Sequence, residues 1–80
     1  MDAIEALVSS MPASADRIRQ RFWRDPEFRT VCEDYRDALQ TLAKLDPSQH
    51  GDAGRAEEYR QLVAELLAEA SAMLTEEAPR

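Results

Sequence analysis

Glycine occurs twice in this chain, and cysteine, histidine and tryptophan once each. Each scarcity excludes something. Cys32 has no partner for an internal disulfide. His50 is the only histidine, and no Cys and His pair stands at a ligand spacing, so no metal or cofactor is expected. No glycine-rich phosphate loop and no Ser-His-Asp set is present, which removes the familiar routes to an enzyme or a small-molecule substrate. Runs of β-branched residues are absent, and with them the signal for a sheet. No apolar run approaches the ~20 residues of a membrane-crossing helix. The opening MDAIEALVSS carries acids where a signal peptide needs a basic region, so a soluble, cytoplasmic protein is expected.

Size makes the next demand. Eighty residues form a small core, and such cores rarely stabilise a chain by more than roughly 3–5 kcal/mol. Disulfides, a metal or association usually make up the difference, and the composition leaves association with itself or with a partner. The charge is 10 basic against 16 acidic residues, net −6, which disfavours a general binder of nucleic acid. The distribution is uneven: −2 over residues 1–13, +3 over 14–24, −2 over 25–45 and −5 over 46–80.

Ala, Leu, Glu, Arg and Gln dominate, the residues that lose least in a helix, so the fold is expected to be all-α. Pro12, Pro26 and Pro47 punctuate it. Asp25-Pro26-Glu27 is a helix start: a capping acid, a proline at the first helical position and an acid favoured by the dipole. This helix should run to Leu45, where Asp46-Pro47 stops it. Phe28, Val31, Cys32, Tyr35, Ala38, Leu39, Leu42 and Leu45 fall within an arc of roughly 140°. Arg29, Glu33, Arg36, Asp37 and Lys44 lie opposite, with Arg29 and Glu33 one turn apart.

The loop SQHGDAG follows, with Gly51 and Gly54 to turn the chain and Asp52 to cap a helix reaching about Leu74. In that helix Tyr59, Leu62, Val63, Leu66, Leu67, Ala70, Met73 and Leu74 again span roughly 140°. Two such helices on a short loop predict an antiparallel hairpin. Their arcs are wider than one facing helix covers, so each keeps apolar surface for a third element. Upstream, Ser14 is placed to cap a short helix from Ala15 to Arg24, with Ile18 and Phe22 on one side and Arg17, Arg21 and Arg24 on the other. Ile4, Leu7, Val8 and Met11 form another amphipathic pattern, too short to be stable alone. The division expected is an N-terminal segment 1–12, a helical-hairpin domain 14–75 and a tail 76–80.

The order of these signals resembles the YdcH-like family of small bacterial proteins: Ile18 and Phe22, the Asp25-Pro26 break, Phe28 opening a helix, Tyr35 a heptad later, a polar loop, then Tyr59, Leu62, Leu66 and Glu69. The resemblance covers residues 14–75. It implies a helical hairpin and no particular activity.

The expected function is therefore that of a small non-enzymatic adaptor, burying an amphipathic face against a second copy or a partner protein. The candidate contacts are Leu42, Leu45, Leu62, Leu66 and Met73, with Ile4, Leu7, Val8 and Met11 as a second docking element. The alternative is peripheral binding to anionic lipid or RNA through Arg17, Arg19, Arg21, Trp23 and Arg24. The bland reading of those arginines is pairing with the acidic C-terminal helix, while Trp23, about 100° from Phe22, stands exposed. Glu33, Asp34, Asp37, Glu57 and Glu58 read as solvated, Cys32 as a small hydrophobe, and Tyr35 and Tyr59 as core aromatics with hydroxyls at the surface.

Overall fold

A computed structural model describes residues 2–46, 48, 49 and 51–76; Pro47, His50 and most of the tail 76–80 lie outside the described residues. Four helices pack together, and no strand occurs among the described residues: α1 (Ala3–Ser10), α2 (Ala15–Arg24), α3 (Pro26–Lys44) and α4 (Asp52–Glu76), with a 3-10 turn at Pro12–Ser14.

Local chemistry explains most of the boundaries. Asp2 caps α1 by accepting from the Glu5 amide at 2.8 Å. Ser14 stands at the start of α2 without making a side-chain cap bond, because the 3-10 turn already carries the chain into the helix. Asp25 accepts from the amides of Glu27 at 3.0 Å and Phe28 at 3.4 Å, so the Asp-Pro step ends α2 and starts α3. α3 stops one residue before the expected Leu45, which has left helical geometry ahead of Asp46-Pro47. Asp52 and Gly54 differ from expectation, since both lie inside α4. The Asp52 carboxylate accepts from the Asp46 amide at 3.2 Å, drawing the two ends of the loop together. Gly51 alone of the two glycines has positive φ, at 97°, and it makes the turn.

α3 is the axis of the packing and touches each of the other three helices. α4 packs against it: Ala38 and Thr41 line one hollow with Tyr59 and Leu62, and Glu27 and Thr30 line another with Glu69 and Met73. α1 and α2 pack on α3 as well and join the same core. The core joins Ala3, Ala6 and Leu7 of α1, Ile18 and Phe22 of α2, Phe28, Val31, Cys32, Tyr35 and Ala38 of α3, and Leu66, Ala70 and Leu74 of α4. Phe28, Leu7, Ile18 and Cys32 are its largest fully enclosed side chains. Burying a leucine such as Leu7 contributes roughly 1.5–3 kcal/mol. The short α1 is thus held by tertiary contact rather than by its own propensity. A polar tie supplements it: the Tyr35 hydroxyl, expected at the surface, shares a 2.5 Å hydrogen bond with the Ser10 hydroxyl.

Candidate protein-interaction surface

The arginines of the basic stretch divide into two sets. Arg17 donates through Nη2 to the Leu74 carbonyl, and Arg21 through Nη1 to the Met73 carbonyl at 2.7 Å. The last carbonyls of a helix lack internal donors and carry the negative end of its dipole, so two guanidinium groups there stabilise the end of α4. Arg21 also donates through Nε to Asp25 at 2.9 Å and lies 5.7 Å from the centre of the Phe28 ring. Its bond to Asp25, with the Phe28 and Glu27 amides, holds that carboxyl below its ordinary 3.8 against a smaller opposing effect of burial. Arg29, expected on the solvated face, does for α2 what Arg17 and Arg21 do for α4: it donates to the carbonyls of Phe22 at 3.2 Å and Trp23 at 3.5 Å.

Arg19, Trp23 and Arg24 make up the other set, and all three are exposed. Arg19 approaches Asp16 at 3.9 Å. Trp23 is 71 % exposed and its ring stands nearly perpendicular to that of Phe22, with ring centres 5.1 Å apart.

The apolar candidates also separate. Leu7 is enclosed by the chain's own helices, and Ile4, Val8 and Met11 are half-buried against the same core. Leu42 and Leu45 are half-buried near the loop end. Leu62, Leu66 and Met73 instead come together in a groove between α3 and α4. Leu66 is largely covered and forms the floor, Met73 is half-buried, and Leu62 is 40 % exposed.

This groove consists of two open hollows of about 600 and about 250 Å³ that share Asp34 and Leu66. Val31, Ala38, Tyr59, Leu62, Leu66 and Met73 supply its apolar lining. Glu27, Asp34 and Asp37 of α3 and Glu69 of α4 are its carboxylates, and Arg21 is the single cation among the lining residues. The acids were not legible as groove residues because each helix, taken separately, gives no sign that a neighbour brings them beside its apolar face. Glu27, Asp34 and Glu69 do stand within about 20° of an apolar arc, the one available signal, whereas Asp37 lies on the opposite face and gave none.

Burial, with a smaller contribution from the Glu33 charge, pushes the Cys32 thiol up to about 12, far from a nucleophilic thiolate. Among the described residues no group of three His, Cys, Asp or Glu is placed to hold a metal, and no helix is long and apolar enough to cross a membrane. Searches of protein-family models, curated proteins and solved structures find no match to this chain.

Proposed function

We propose that this chain is a small non-enzymatic adaptor in which α3 and α4 form an antiparallel hairpin, and that its groove is buried against a second copy or a partner protein. One observation carries the reading: Leu62, 40 % exposed, stands at an apolar groove that the chain's own α1 and α2 leave open. A large exposed apolar side chain beside a furrow is where association gains most from excluding water. The same proposal sets the chain beside the YdcH-like proteins, on the order of Phe22, Asp25-Pro26, Phe28, Tyr35 and Tyr59.

Binding to anionic lipid or RNA is the second reading, favoured by the exposure of Trp23 beside Arg19 and Arg24. It is the weaker of the two, because Arg17 and Arg21 are engaged with the end of α4.

Site-specific photocrosslinking tests the first reading. A photoreactive residue replacing Leu62 should yield protein adducts in living cells, whereas the same residue replacing the exposed Ala64, on the far side of α4, should not. Equal or absent labelling at both positions would remove the groove as an interface.

A further inference from the structure

Building on that reading, we infer that the α3–α4 groove receives a basic amphipathic helix of another protein. The apolar residues of that helix would lie on the groove floor, and its Lys and Arg would face the acidic rim.

Dimensions support a helix. Along α3 the groove runs from Glu27 to Thr41, about 21 Å at the helical rise, which is roughly four turns of a partner helix. A helix laid in such a furrow presents anchors at i, i+3 or i+4, and i+7. Val31, Leu66 and Met73 meet such anchors at one end, and Ala38, Tyr59 and Leu62 at the other.

Charge selects the partner. Four carboxylates line the groove against one guanidinium, and that guanidinium is already bonded to Asp25 and the Met73 carbonyl. Asp37 pairs with its neighbour Arg36 at 2.9 Å at an exposed site, a contact of little energetic consequence. An acidic helix in this place would bring like charges together.

A second copy fits poorly on the same grounds. Two grooves face to face oppose their own carboxylates, within a chain of net charge −6. The basic helix of a second copy, α2, already buries its apolar residues Ile18 and Phe22 in its own core. It has no apolar stripe to lend.

The test uses the full chain, isotope-labelled for amide spectra, and two synthetic peptides of about 18 residues. One places Leu at the i, i+3/i+4, i+7 positions and Lys elsewhere; the other has the same composition in an order without a stripe. The striped peptide should shift amides along residues 27–41 and 59–73 and bind at least about tenfold more tightly than its isomer. Leu62→Glu, at an exposed position that leaves the core intact, should weaken binding by about tenfold. General attraction of a cation to an acidic protein predicts the reverse, since that variant is more negative. The pair Asp34→Lys and Glu69→Lys should also weaken it by about tenfold, with less dependence on salt.

Equal binding of the two peptides, unchanged or tighter binding by Leu62→Glu, or shifts centred on Trp23 would each overturn the inference. So would adducts from position 62 that contain only a second copy of this chain, or binding to phosphatidylglycerol vesicles or RNA that protects the same amides. In those last cases the groove remains an interface and only its assigned occupant fails. Absence of any adduct at position 62 instead removes the adaptor reading itself.

Discussion

Leu7→Ala is the sharpest probe of whether α1 belongs to this core. Leu7 is fully enclosed, among the largest such side chains in the molecule. Truncation removes three carbons, about 2.4 kcal/mol at ~0.8 kcal/mol per methylene. The cavity left behind adds to that, and buried Leu to Ala changes fall within roughly 2–5 kcal/mol. An expected loss of about 3 kcal/mol compares with the roughly 3–5 kcal/mol that a core of this size supplies. In a domain this small each kcal/mol moves the melting temperature by about 4–8 °C, so a fall of roughly 12–24 °C is expected. Ile4→Ala, at a half-buried site on the same helix, should produce about half of that. Thermal and urea unfolding followed by circular dichroism measure both, and an unchanged urea slope would show that the same surface is still exposed on unfolding. A Leu7→Ala shift below about 3 °C would refute the reasoning, because it would mean that α1 frays and contributes no burial.

Two further outcomes follow from the helix ends. Arg21→Gln should cost about 1.5–3 kcal/mol, the range for a charge-assisted hydrogen bond, since the Arg21 side chain is only 11 % exposed and bonds the Met73 carbonyl. Arg19→Gln should stay within about 0.5 kcal/mol, and only Arg21→Gln should speed amide exchange in the last turn of α4; equal effects on exchange would remove the capping role. Asp25, held below its ordinary 3.8, favours the folded state fully above that value and loses its contribution as pH falls through the lower folded value. Between about pH 5 and pH 2 the wild-type melting temperature should therefore drop more steeply than that of Asp25→Asn, and parallel curves would exclude Asp25 from the acid response.

Much of the fold was legible because it rests on local chemistry. The Asp25-Pro26 step was readable as a helix start since capping, proline geometry and the dipole all act within one turn. The exposure of Trp23 followed from its angular distance to Phe22. The arginine caps were not legible, because Arg17 and Arg21 reach carbonyls more than fifty positions away, and no spacing along the chain encodes such a pair. Asp52 misled for a related reason: an acid before a helix and an acid bridging a loop have the same local signature.

Propensity, capping and periodicity act over a few neighbouring residues, so the helical character of this protein and roughly where each helix starts and stops are written in the order of its residues. Which apolar residues are enclosed and which stay open depends instead on how the helices pack. Leu7 and Leu62 occupy equivalent places in two amphipathic patterns, yet one is sealed against α3 and the other stands at the edge of a groove. That difference arises from how three helices share the surface of the fourth, a competition for area that no single stretch of the chain records.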